Sequence, residues 1–312
     1  MSRNQPRTNG TDAESTNGAV TGSPSNQSEA SLTGEGLVLT YPSGDSPIID
    51  DETITAEPGA VTALVGPNGS GKSTLLKGLA NQLTPEAGSV LLDGQDIQTL
   101  DTKAIARKLG LLSQESTSPN SITVEDLVYH GRYPHRGFFD SVTEEDEAAV
   151  ERAIDLAGCG HLRDREVGSL SGGQKQLAWI AMVLAQDTDV LLLDEPTTFL
   201  DLHHQLEVME IIETLRDESD ITIVVVLHDI EQAARLADRM VALKDGEIQA
   251  RGQPEDVVTE RLLADVFEIE AEVSVTPHGP RINPIRARHD GDEHAVDDDS
   301  TGAERPEEVV AE

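Results

Sequence analysis

The stretch Val61-Thr-Ala-Leu-Val-Gly-Pro-Asn-Gly-Ser-Gly-Lys-Ser-Thr74 decides how the chain folds. An apolar, strand-like run enters a loop, Gly66-Pro-Asn-Gly-Ser-Gly-Lys-Ser73, with the two glycines, lysine and serine of a phosphate-binding loop. Gly66, Gly69 and Gly71 permit the tight turn that points successive N–H groups at phosphate oxygens. In that pattern Pro67, Asn68, Ser70 and Thr74 would complete the cradle, Lys72 would reach the β- and γ-phosphates, and Ser73 would ligate Mg²⁺. The helix that follows adds its positive N-terminal dipole.

Working outward, short apolar strands alternate with longer helical patterns. Val61–Val65, Val90–Leu92, Leu109–Ser113, Val190–Leu193 and Ile221–Leu227 read as strands, and Leu202, Leu206, Met209, Ile212 and Leu215 form a helical stripe. This alternation predicts an α/β domain with a largely parallel core. Asp245-Gly246 predicts a hairpin turn. Around Thr123–Gly158 the alternation stops, which predicts a helical insertion.

The net charge is −35, and only six of the basic residues are lysines. Residues 36–289 alone hold 44 acidic and 20 basic side chains, so the acidity belongs to the folded part as well as to the end. Such a surface fits molar salt, where the Debye length shrinks to about 3 Å, and makes free nucleic acid a poor partner. Residues 1–34 lack an apolar period and predict a disordered extension; 290–312 predict an acidic disordered tail. No apolar run reaches the roughly 18 residues that span a bilayer, and the N-terminus shows no signal pattern. The single cysteine, Cys159, reads as a small core side chain.

Downstream, Val190-Leu-Leu-Leu-Asp-Glu195 is a buried-strand pattern ending in two carboxylates. Asp194 can hold Mg²⁺ and Glu195 can orient or deprotonate an attacking water. Leu170-Ser-Gly-Gly-Gln174 raises a separate question. Ser171 and Gln174 fit a capping box, but Gly172 and Gly173 are poor residues for the first turn of a helix.

The order of these segments, with Gln114 and His228 each just after a strand, resembles the ATPase subunit of ABC transporters over about residues 36–288. That resemblance implies a P-loop NTPase of ABC type, with a mostly parallel core sheet and an antiparallel β part. The domain would span 35–289 with a small helical subdomain at about 115–185. It implies ATP and Mg²⁺ as cofactors, Ser73, Gln114 and Asp194 at the metal, and Glu195, His228 and Gln114 in catalysis. Tyr41 resembles the aromatic that stacks on adenine. Ser171, Gly172, Gly173 and Gln174 would touch the γ-phosphate held by the other subunit of a head-to-tail dimer, and Asp201 would link the two sites. The partners implied are a second ATPase subunit, expected to be another copy of this chain, and a polytopic membrane permease at the cytoplasmic face. A substrate-binding protein would act indirectly.

Two stretches are similar to ATPases that import ferric siderophores, haem or cobalamin: "VYHGRYPHRGFF", with His130, Arg132, Tyr133, His135 and Arg136, and "LSGGQKQLAWIAMVLAQDTDVLLLDEPTTFLD". Ferric siderophore is the first expectation for the cargo, with cobalamin or haem as alternatives. A soluble ABC ATPase, such as an iron-sulfur assembly factor, is the rival of another class. His203 and His204 read as surface or dimer-edge residues.

Overall fold

The computed structural model describes residues 31–114, 121–137, 140–277 and 279–288. The chain opens with β1 (Leu32–Leu39), β2 (Ile49–Ala56) and β3 (Val61–Val65), then α1 (Lys72–Leu79), β4 (Ala87–Leu92), β5 (Gln95–Asp96), α2 (Thr102–Lys108) and β6 (Leu109–Leu112). Three helices follow without a strand between them: α3 (Val124–His130), α4 (Glu144–Leu156) and α5 (Gly172–Leu184). Alternation resumes with β7 (Val190–Asp194), α6 (Leu202–Glu218), β8 (Thr222–Val226), α7 (Ile230–Leu236), β9 (Arg239–Lys244) and β10 (Glu247–Gly252). Two short helices, α8 (Pro254–Val257) and α9 (Glu260–Phe267), precede a hairpin of β11 (Ile269–Thr276) and β12 (Gly279–Ala287).

The core sheet has the order β10-β9-β3-β8-β7-β6, parallel throughout except for β9–β10. Its strands are continuous apolar runs because both faces are covered. Along β8, Ile223 and Val225 pack toward α5, α6 and the helical insertion, whereas Val224 and Val226 pack toward α1 and a second, antiparallel sheet, β2-β1-β4-β5. Parallel order matters for function. β3, β8, β7 and β6 lie side by side and all run the same way, so their C-terminal ends deliver four successive loops to one edge.

Several expectations change. Leu32–Gly34, assigned to the disordered extension, are the first residues of β1; residues 1–30 and the tail from 289 lie outside the described residues. Val90–Leu92 belongs to the antiparallel sheet rather than the parallel core. β1 was not read as a strand because Gly34 and Gly36 interrupt its alternation, and β2 because Asp50, Asp51 and Glu52 do. Gly36 takes φ 56°, and the β1–β2 register shifts between Gly34 and Leu37. The hairpin turn is as expected, with Asp245 and Gly246 both at positive φ. Of the helical stripe on α6, Met209, Ile212 and Leu215 are buried, but Leu202 and Leu206 are exposed. Cys159 is a buried core residue whose thiol is pushed up to about 11 by burial.

The cluster in "VYHGRYPHRGFF" divides: Tyr133 is exposed, whereas Arg132 is buried; the two phenylalanines lie outside the described residues. Arg132 is 1% exposed, and its Nε donates to Asp146 Oδ1 at 2.9 Å while Nη1 donates to the Ala185 carbonyl at 2.9 Å. Asp146 also closes the capping box of α4 with Thr143. One ion pair thereby ties the end of α3, the start of α4 and the end of α5, and its desolvation is offset only because both partners are hydrogen-bonded.

Candidate active site

The β3–α1 loop builds its cradle from backbone. Gly66, Gly69 and Gly71 sit at φ 148°, 81° and 99°, conformations that L side chains resist. At Gly66 a Cβ would also lie 2.1 Å from the Leu243 carbonyl oxygen. The Lys72 ammonium is held inside the loop, donating to the carbonyls of Gly66 at 2.9 Å and Pro67 at 2.8 Å. Burial lowers its pKa from the usual lysine value, and the charges of Glu195 and Asp194 oppose that shift. Ser70 and Thr74 are buried beside it, while Asn68 and Gly69 face solvent.

The next loops in the sheet close on this one. Ser73 Oγ donates to Asp194 Oδ1 at 2.8 Å, joining the start of α1 to the end of β7. Burial raises the Asp194 carboxyl above its usual value; the Ser73 hydrogen bond and nearby lysines pull the other way. Glu195 follows at φ 53°, a strained conformation for a residue of its size. Three donors converge on its carboxylate. Gln114 Nε2 gives to Oε2 at 2.7 Å, Thr198 Oγ1 gives to Oε2 at 3.2 Å, and His228 Nε2 stands 2.7 Å from Oε1. Gln114 lies just past β6 and His228 just past β8, so neighbouring strands of the sheet supply Glu195 with a partner from each side. Thr198 was not read from the sequence as a functional residue; its adjacency to Asp194-Glu195 was the available signal.

The remaining predicted residues form other groups. Tyr41, two residues beyond β1, is half-buried, with the Lys77 ammonium 5.8 Å from its ring centre. Ser171 caps α5 and closes the capping box with Gln174, which also accepts from Arg165 at 3.4 Å. Asp201 caps α6, its Oδ1 accepting from the backbone N–H of His204 at 3.0 Å. The two glycines differ. At Gly172 a Cβ would meet nothing within 4 Å, whereas at Gly173 it would lie 2.3 Å from the His204 ring.

A buried lysine in a glycine cradle, a serine bonded to an aspartate, and a glutamate held by a glutamine and a histidine define a nucleotide-hydrolysing P-loop site. Comparison with known proteins agrees. A family model described as ABC transporter matches residues 49–198. The chain is 45% identical over 251 residues to the ferric enterobactin transport ATP-binding protein of Escherichia coli K12, covering 80% of this chain and 92% of that one. It is 42% identical over 247 residues to the iron(3+)-hydroxamate import ATP-binding protein of Bacillus subtilis 168, covering 79% and 91%. A bacterial ABC transporter cassette solved as a dimer superposes with a TM-score of 0.64 at 27% identity, covering 71% of this chain and 98% of that one. The chain belongs to the ATP-binding subunits of ABC transporters, ATPases coupled to transport.

Proposed function

We propose that this chain energises uptake of a ferric siderophore by hydrolysing ATP at the cytoplasmic face of a separate membrane permease, with a second copy of itself as the other ATPase. The observation that carries the catalytic half is the convergence of Gln114, Thr198 and His228 on Glu195, beside the Lys72 cradle. The iron half rests on the ferric enterobactin and iron(3+)-hydroxamate relatives.

In this reading ATP lies along Gly66–Thr74 with Tyr41 against the adenine. The Lys72 ammonium exchanges its two loop carbonyls for phosphate oxygens. Glu195 positions the attacking water, which requires one of its present donors to let go; His228 is the candidate, since it can turn to the γ-phosphate instead. Gln114 then reports whether Glu195 and the phosphate are both engaged. The residues also fit Mg²⁺. Ser73 Oγ and Asp194 Oδ1 are two hard oxygen donors 2.8 Å apart, with the Gln114 side chain close by at Glu195. Among the described residues no cluster of three or more His, Cys, Asp or Glu could hold a metal alone, so Mg²⁺ would arrive with ATP and keep phosphate and water ligands. When bound it offsets charge on the transferring phosphoryl group.

Ser171 and Gly172 are exposed at the positive end of α5, and nothing among the described residues explains a glycine at 172. A γ-phosphate held by a second copy supplies the reason, since backbone can approach an anion closely only without a Cβ. No described helix is long and apolar enough to cross a membrane; in this reading the separate permease supplies the transport path. Capture of the Glu195→Gln variant from its native cells in molar KCl with ATP tests the whole reading. A polytopic membrane protein at comparable amount is expected; recovery of soluble assembly factors alone contradicts it. The charge of −35 further predicts a melting temperature that rises from low to molar KCl, as screening relieves self-repulsion.

A further inference from the structure

The imidazole of His204 stands where a side chain at Gly173 would be. A Cβ at Gly173 would lie 2.3 Å from Cγ and Cδ2 of the ring and 2.7 Å from Nδ1, so the ring rests on the bare backbone of the first turn of α5. The same ring is fixed from the other side. Its Nδ1 lies 2.9 Å from Asp201 Oδ1, and a carboxylate only accepts, so the Nδ1–H donates. The side chain is 20% exposed. Capping of α6 needs only the backbone N–H of His204, which Asp201 already binds at 3.0 Å. The imidazole is additional, and what it adds is a contact between two segments far apart in sequence.

Those segments are the two that carry the chemistry. On one side lie Glu195, Thr198 bonded to it, and Asp201 at the end of the same loop. On the other lie Ser171 and Gly172, the two residues immediately before the glycine on which the ring rests. We propose that His204 is a positioning residue, whose imidazole locks the Ser171–Gly173 turn to the Glu195–Asp201 loop. The surface offered to the second copy's nucleotide is thereby held in register with this chain's own catalytic glutamate. The inference rests on the proposed two-copy reading of Ser171 and Gly172. It also divides the glycine pair: Gly172 is glycine for a ligand, and Gly173 for a histidine.

The test is a cycle of His204→Ala, Gly173→Ala and the double variant, with His204→Gln as the conservative replacement. Steady-state ATPase rates, Kd for a fluorescent ATP analogue on the monomer, and ATP-driven association in the Glu195→Gln background would be measured in molar KCl. His204→Ala is expected to lower kcat about tenfold, as small misplacements of catalytic groups do. Association should weaken by about the same factor, with monomer Kd for the analogue within about twofold, because only transition-state and partner contacts are lost. Gln, whose amide can donate to Asp201, should restore most of the rate. Gly173→Ala should cost about tenfold or more with His204 present and much less in the His204→Ala background, the non-additivity expected of touching residues. A Gly173→Ala loss that is equal in both backgrounds, or His204→Ala turning over at the parent rate, overturns the proposal alone. A Glu195→Gln parent that binds ATP yet stays monomeric overturns the two-copy reading and the proposal with it.

Discussion

The C-terminal edge of the core sheet and the surface made by the start of α5 with residues 199–206 face opposite problems. At the sheet edge every reactive side chain has a partner within the chain: Lys72 on carbonyls, Ser73 on Asp194, Glu195 on three donors. On the second, the chain leaves surface unpartnered. Gly172 is bare, Phe199 is 95% exposed at φ 63°, and Leu202 and Leu206 on α6 are 69% and 41% exposed. A bulky residue at positive φ with its ring in water has no stabilising contact to explain it. The difference teaches that the loop site is satisfied within one chain, while the apolar ridge and the bare turn are what the proposed second copy would cover.

Substitutions can break or sharpen that contrast. The largest effect belongs to Glu195→Gln, which should lower kcat about a thousandfold while retaining ATP binding, as removal of a positioned acid-base group does; radiolabelled phosphate release against filter binding checks it. Next comes Arg132→Met, which strands the buried Asp146 carboxylate and should lower unfolding stability by about 3–5 kcal/mol. Denaturant titration would show it, and Arg132→Met with Asp146→Leu should return most of the loss. Phe199→Ser should weaken ATP-driven association by about 1–2 kcal/mol, the scale of an interface aromatic, without lowering the melting temperature of the monomer. The smallest effect concerns the stability of Asp194→Asn. Burial raises this carboxyl's pKa, and a group whose folded pKa is raised loses its stabilising contribution as pH rises through that value. Neutral pH therefore carries a penalty, and Asn should raise the melting temperature slightly at pH 7. An unchanged or lower melting temperature there would show that the Ser73 and lysine contacts outweigh burial.

The same contrast explains what the sequence revealed. The phosphate loop was legible because its backbone tolerates so few residues at Gly66, Gly69 and Gly71. Asp194, Glu195, Gln114 and His228 were legible because each follows an apolar strand, and parallel order brings strand ends together. The exposure of Leu202 and Leu206 was not legible for a physical reason: helical periodicity marks an apolar stripe but not which part of it the chain itself covers. The burial of Arg132 was not legible because it depends on Asp146, which sequence spacing does not connect to it. The Gly173–His204 contact was invisible for the same cause, since it joins two helices through a ring and a missing Cβ.

One measurement bears most directly on the claim that ATP closes two copies of this chain around the surface left open at Gly172 and Phe199. Sedimentation of the Glu195→Gln variant in molar KCl, with and without Mg²⁺ and ATP, should show the 33.5 kDa chain alone and twice that mass with nucleotide. Phe199→Ser should move the balance back toward the single chain. A variant that binds ATP but sediments as one chain at every concentration tested would contradict the account.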